Sequence, residues 1–127
     1  MISVFILEDN QYKLEDICTV LKNKFKDNIK IDNCAYFNEG CHNLINGNYD
    51  YAILDNNLFR FRDSWELCSN CAENILAGLE LFGNDTKCII CSSDDVKLEE
   101  HYDNLLGIVK YSSISIDWAD KLTNLIK

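Results

Sequence analysis

Short apolar runs alternate with longer amphipathic segments along the 127-residue chain. The runs are Val4-Phe5-Ile6-Leu7, Tyr51-Ala52-Ile53-Leu54, Cys88-Ile89-Ile90-Cys91 and Ile108-Val109, with a weaker one between Ile29 and Phe37. Being apolar on both faces, they predict strands of a parallel sheet covered by helices on both sides. Between the first two strands, Leu14, Ile17, Cys18, Leu21 and Phe25 recur at helical spacing. Leu44 and Ile45 belong to a short second helix beginning near Asn38. Ile75, Leu76, Leu79 and Phe82 mark a third, and Val96 to Leu106 a weaker fourth. For the last helix Ser113 or Ser115 can serve as cap, Asp117 suits the first turn, and Trp118, Leu122, Leu125 and Ile126 form the apolar stripe. Strand–helix units joined by right-handed crossovers predict a doubly wound α/β fold. No repeat, low-complexity tract or linker divides the chain, so residues 1–127 are expected to form one domain.

The residues after each run carry the candidate chemistry. The first strand ends in Glu8-Asp9, the third in Asp55, the fourth in Ser92-Ser93 and the fifth in Lys110. Open α/β sheets bind ligands outside the carboxyl ends of their strands, at the switch in strand order. Periodicity does not fix that order, but 2-1-3-4-5 gathers all these residues in one crevice. Carboxylates placed together repel unless a cation lies among them. Oxygen ligands and water suit Mg²⁺, which typically shares its coordination with a phosphate. A carboxylate beside such an ion can act as a nucleophile and form an aspartyl phosphate. Lysine and metal then neutralise charge on the transferred oxygens while a hydroxyl donates a hydrogen bond to one of them. Taken singly, an acidic pair is a solvated loop, a serine pair a turn and a lysine plain surface. Their ordered occurrence at four strand ends favours a site.

Composition narrows the partners. Asp and Glu number 21 against 12 Lys and Arg, a net charge of −9, which disfavours nucleic acid or an anionic membrane. No apolar run approaches the ~20 residues of a membrane span, so a cytoplasmic protein is expected. Seven cysteines, an odd number set largely in apolar stretches, point to a reducing compartment. No Gly-rich phosphate loop follows the first strand, against a nucleotide or flavin binder.

The segments Phe5-Ile6-Leu7-Glu8-Asp9-Asn10, Tyr51-Ala52-Ile53-Leu54-Asp55 and Ile89-Ile90-Cys91-Ser92, with the strand ending in Lys110, resemble the CheY-like receiver domains of two-component response regulators. The resemblance runs from Ile2 to the last helix. It implies a flavodoxin-like fold with a five-stranded parallel sheet in the order 2-1-3-4-5. It also implies Mg²⁺ held directly by Asp9 and Asp55, through water by Glu8, and by the backbone carbonyl of Asn57. Asp55 would accept the phosphoryl group, Ser92 (or Ser93 in its place) would contact a phosphoryl oxygen, and Lys110 would pair with the phosphate. The implied donor is a phosphohistidine on a histidine kinase or phosphotransfer protein, sometimes a small acyl phosphate. The implied chemistry is self-phosphorylation and dephosphorylation, not turnover, with output through a protein target or a homodimer. Asn57 and Asp94 stand where residues flank the hydrolytic water, and both are short and polar, which implies a short-lived phosphoryl group.

Several departures from the family pattern are visible. Tyr111 replaces a cis proline; a non-proline cis bond costs ~2.5–4 kcal/mol, so the loop holds that strain or takes another path. Gly107 replaces the aromatic switch residue, which removes the usual coupling to movement of the hydroxyl. Ala77-Gly78-Leu79-Glu80-Leu81, resembling the start of the third helix, lies far beyond Asp55, which places an insertion at about 58–74. The short spacing from Ser92 to Lys110 implies a reduced or irregular fourth helix. Within the insertion, Phe59-Arg60-Phe61-Arg62 places both arginines on one side of an extended strand. The segment reads equally as a lid or docking element and as a loop held down by Phe59, Phe61 and Trp65. Cys68-x-x-Cys71 has no second pair or histidine to complete a zinc site, and Cys88 and Cys91 fall on opposite faces of a strand. Two rivals accompany the phosphoacceptor expectation. One is a phosphorylation-independent interaction module, favoured by the missing proline and aromatic. The other is a Mg²⁺-dependent phosphohydrolase, which needs an acid two residues after Asp55, where Asn57 stands.

Overall fold

The computed structural model describes residues 1–63 and 65–126. In chain order the elements are β1 (Ile2–Leu7), α1 (Gln11–Phe25), β2 (Ile29–Cys34), α2 (Phe37–Asn46), β3 (Tyr51–Leu54), β4 (Asn57–Phe59), β5 (Leu67–Ser69), α3 (Cys71–Leu81), β6 (Lys87–Ser92), β7 (Leu105–Lys110) and α4 (Asp117–Leu125). The main sheet is parallel, in the order β2-β1-β3-β6-β7. With the β4–β5 hairpin set apart, this is the expected 2-1-3-4-5 arrangement.

Alternation along the strands feeds two cores. Phe5, Leu7, Ala52, Leu54, Cys88 and Ile90 pack with Leu44 of α2 and Ile75, Leu76 and Leu79 of α3. Val4, Ile6, Ile53, Ile89, Cys91 and Val109 pack with Ile17 and Leu21 of α1 and Trp118 and Leu122 of α4. Each fully buried Leu or Ile contributes about 1.5–3 kcal/mol, so both faces of the sheet are firmly held. Cys88 and Cys91 lie in different cores, and all seven cysteines are free thiols.

Two expectations are corrected. The helix expected from Val96 to Leu106 does not form; as the short spacing from Ser92 to Lys110 implies, that stretch is irregular until β7 begins at Leu105. The Glu73 carboxylate of α3 accepts the backbone N–H of Glu99 (3.0 Å) and of Glu100 (3.3 Å) and the Tyr102 hydroxyl (2.9 Å). Those backbone donors are satisfied by a side chain from another element instead of by a helical turn. Val96 and Leu98 still pack onto the core.

The insertion is an antiparallel hairpin pairing Asn57 with Ser69, Leu58 with Cys68 and Phe59 with Leu67. Its inward anchors are Leu58 and Cys68, while Phe61 and Trp65 are exposed, so the expected aromatic anchors at those two positions are not used. Both arginines do face one way. Arg60 lies 5.4 Å from the Phe37 ring and Arg62 5.2 Å from the Tyr36 ring, and the Asn38 N–H donates to the Arg60 carbonyl (3.0 Å). These cation–π contacts fasten the hairpin to the start of α2. At the last helix, Ser115 and not Ser113 accepts the Asp117 N–H (3.4 Å).

Candidate functional site

The ends of β1 and β3 are locked side by side. The Glu8 N–H donates to the Cys34 carbonyl and the Asp55 N–H to the Leu7 carbonyl, both at 3.0 Å, continuing the sheet ladder by one residue. Asn10 then caps α1 by accepting the Lys13 N–H (3.1 Å), while Glu8 Oε2 accepts the Asn10 N–H (3.1 Å). The result is one oxygen from each of Glu8, Asp9 and Asp55, all within 4.8 Å of one another.

Lys13 joins them. Its ammonium lies 2.7 Å from Glu8 Oε1 and 3.1 Å from Asp55 Oδ1, and donates to the Cys91 carbonyl at 2.6 Å. The Tyr111 ring lies 5.6 Å from the same nitrogen. The side chain is buried, only 6% exposed. Sequence reasoning passed over this residue because lysine is ordinarily a surface group. The signal was its position: Lys13 stands four and eight residues ahead of Ile17 and Leu21, on the buried stripe of α1. A cation in the first turn of a helix is also opposed by the helix dipole, so a compensating anion is required.

Charge in the cluster is unbalanced. Burial pushes the Glu8 carboxyl up to about 7; Lys13 opposes the rise and Asp55 adds to it. Asp9 is also raised, first by burial and then by Asp55. For Lys13, burial alone would lower the pKa, but Glu8 and Asp55 outweigh it and hold the ammonium charged. One ammonium stands among three carboxyl groups and touches only Glu8 and Asp55, so the site is short of positive charge. Hard oxygen donors short of positive charge fit a Mg²⁺ ion.

Lys110 is the expected site residue that the structure does not bring in. Its ammonium pairs with Asp95 at 2.8 Å, and its side chain is 64% exposed. The irregular segment after β6 presents Asp95 to it, while Lys13 already occupies Asp55. Ser92 ends β6 fully buried, its Oγ accepting the Asp94 N–H (3.2 Å), whereas Ser93 is exposed. Asn57 opens β4 and donates its amide to Asp94 Oδ2 (3.2 Å), so the two residues expected to flank a hydrolytic water touch.

Tyr111 takes another path in place of a cis proline; no cis peptide occurs among the described residues. Its N–H donates to the Ser92 carbonyl (2.9 Å), its hydroxyl to Asp16, and its ring packs 5.0 Å from Trp118. At Gly107 an added Cβ would come within 3.1 Å of Leu125 Cδ1, so α4 occupies the space an aromatic side chain would need. A separate cavity of about 460 Å³, lined by Asp50, Asp85 and Lys87 among others, contains none of the site residues.

No protein-family model matches the chain, and no curated protein matches it. Solved structures do. A CheY-like response-regulator receiver domain from Methanospirillum hungatei superposes with a TM-score of 0.69 at 15% identity, covering 98% of this chain and 90% of that one. The response regulator TrrA from Thermotoga maritima, solved with Mg²⁺ and BeF, gives 0.66 at 19% identity, covering 99% and 100%. The chemotaxis regulator CheY4 of Vibrio cholerae gives 0.70 at 10% identity, covering 99% of each chain. The chain therefore has the fold of the CheY-like receiver domains.

Proposed function

We propose that the protein is a phosphoacceptor receiver module in which Asp55 takes a phosphoryl group in a Mg²⁺-dependent reaction. The observation that carries this is the convergence of Glu8, Asp9 and Asp55 within 4.8 Å, short of positive charge, at the carboxyl ends of the neighbouring strands β1 and β3, where the strand order switches. Asp9 and Asp55 would hold the ion directly, Glu8 through water, and Asn57 through its backbone carbonyl. Bound there, Mg²⁺ would offset charge on the transferred phosphoryl oxygens. An Asp55 carboxylate oxygen attacks phosphorus as the bond to the donor imidazole breaks, and the imidazole keeps the electron pair. Because Ser92 Oγ accepts from the Asp94 N–H, its own proton is free to be donated to a phosphoryl oxygen. Lys110 leaves an exposed pair with Asp95, which holds it only weakly, to reach the phosphate.

A phosphohistidine on a histidine kinase or phosphotransfer protein is the proposed donor. A structure of the kinase ThkA in complex with TrrA contains a chain similar to this one at 17% identity and a TM-score of 0.68, covering all of both chains. Output passes to a protein target or through a homodimer, since a net charge of −9 disfavours nucleic acid. No described helix is long and apolar enough to cross a membrane, and a cytoplasmic setting accords with seven free thiols. An amide at Asn57, where a phosphohydrolase needs an acid, argues for self-modification and not turnover.

The second reading is a phosphorylation-independent interaction module. It is favoured by Lys13 already seated on Asp55 and by Lys110 turned to Asp95. Acetyl phosphate with Mg²⁺, followed by intact-mass spectrometry, separates the two. One added phosphoryl group, absent in Asp55→Asn, supports the first reading; no addition supports the second.

A further inference from the structure

We infer that Lys13 is a tethered cation that competes with the divalent metal for the carboxylates of the crevice. The inference rests on reading Glu8, Asp9 and Asp55 as a metal site, but not on phosphorylation of Asp55. The Lys13 ammonium meets one oxygen of Glu8 at 2.7 Å, one of Asp55 at 3.1 Å and the Cys91 carbonyl at 2.6 Å. A hard cation requires the same kind of oxygen donors, drawn in closer, so the ammonium and the metal call on shared ligands. Two of the three carboxylates in the cluster are engaged by the ammonium, so an ion entering among them meets a like charge at close range.

The tether is built into the fold. Asn10 caps the first turn of α1 through the Lys13 N–H, and Ile17 and Leu21 bury the same helix face, so the lysine stem cannot leave by rotating the helix. The Cys91 carbonyl already holds the ammonium at 2.6 Å, and the Tyr111 ring, 5.6 Å away, offers a second surface that accepts a cation when the metal displaces it from the carboxylates. Lys13 thus neutralises the crevice when metal is scarce and raises the metal concentration at which it fills. An exposed lysine such as Lys22, in the last turn of the same helix, has no such contacts with the cluster.

The test is a Mg²⁺ titration of the full chain followed by amide NMR, comparing wild type, Lys13→Gln, Lys13→Arg and Lys22→Gln. Lys13→Gln should bind Mg²⁺ about tenfold tighter or more, while Lys13→Arg binds no tighter than wild type and Lys22→Gln changes affinity little. In thermal melts, Mg²⁺ should raise the Tm of Lys13→Gln more than that of wild type, because tighter binding to the folded state stabilises it more at the same concentration. Equal or weaker Mg²⁺ affinity in a folded Lys13→Gln overturns the inference, as does absence of Mg²⁺ binding in both proteins. Should Lys13→Gln fail to fold, the Lys13 side-chain signals of wild type decide: they must shift as Mg²⁺ saturates, and unchanged signals overturn the inference. Competition observed together with an Asp55 that neither acetyl phosphate nor a phosphorylated histidine phosphotransfer protein modifies overturns the phosphoacceptor reading and leaves this one standing.

Discussion

Tyr111 stands where CheY-like receiver domains usually carry a proline, and it offers a sharp test of what holds the loop after β7. Substituting Tyr111→Pro restores the expected residue but removes the ring, the backbone N–H and the hydroxyl, all of which the structure uses. The ring is buried to 8% exposure against Trp118 and Lys13. Truncating a large buried aromatic costs about 3–5 kcal/mol, and the lower end applies because proline keeps part of the volume. The N–H donates to the Ser92 carbonyl at 2.9 Å, a bond worth about 1 kcal/mol. With the hydroxyl bond to Asp16, worth about 1 kcal/mol more, these come to about 5 kcal/mol. For a domain of this length each kcal/mol moves Tm by about 3–5 °C, so a fall of roughly 20 °C is expected. Tyr111→Phe keeps the ring and the backbone bond and loses only the hydroxyl contact to Asp16, so about 1 kcal/mol is expected. Urea denaturation of the three proteins reads both values. If Tyr111→Pro lies within about 1 kcal/mol of wild type, the reasoning is refuted, since neither ring nor backbone bond then supports the loop.

Three further outcomes follow from the geometry. Asp9→Ala removes a proposed direct ligand and should weaken Mg²⁺ binding about tenfold or more by calorimetry; unchanged affinity relocates the metal. Glu73→Ala frees the N–H groups of Glu99 and Glu100, and amide exchange across residues 96–102 should accelerate while the β1 and β3 amides stay protected. Replacing residues 59–66 by a short Gly-Ser link should leave the decay rate of phosphorylated Asp55 within about twofold. The hairpin leans on Tyr36 and Phe37 and exposes Phe61 and Trp65, so it does not shield the crevice; several-fold faster decay after replacement would show that it does.

The main sheet was readable because parallel strands covered on both faces leave unbroken apolar runs, and those of β1, β3 and β6 stand out. Strand order came from the resemblance, not from periodicity. The carboxylates were legible for a related reason: strand ends are fixed once the strands are, and Glu8, Asp9 and Asp55 follow β1 and β3 directly. What escaped depends on contacts between distant elements. The segment after β6 carries apolar residues at helix-compatible spacing, yet a carboxylate on α3 captures its backbone donors. Lys110 holds its expected place in sequence, but the shape of that same segment hands it to Asp95. Lys13 was hidden by its residue type, although its position on the α1 stripe marks it as inward. The insertion's arginines obeyed strand alternation, while its anchors proved to be Leu58 and Cys68.

The proposed function stands or falls on whether Asp55 accepts a phosphoryl group. The most direct measurement is intact-mass and peptide mass spectrometry after incubation with acetyl phosphate and Mg²⁺, on wild type and on Asp55→Asn, which keeps the shape but is a poor nucleophile. Wild type should gain one phosphoryl group, located on the peptide containing Asp55, absent without Mg²⁺ and absent in Asp55→Asn. Equal modification of Asp55→Asn, or none in wild type with either acetyl phosphate or a phosphorylated histidine phosphotransfer protein as donor, would contradict the proposed function.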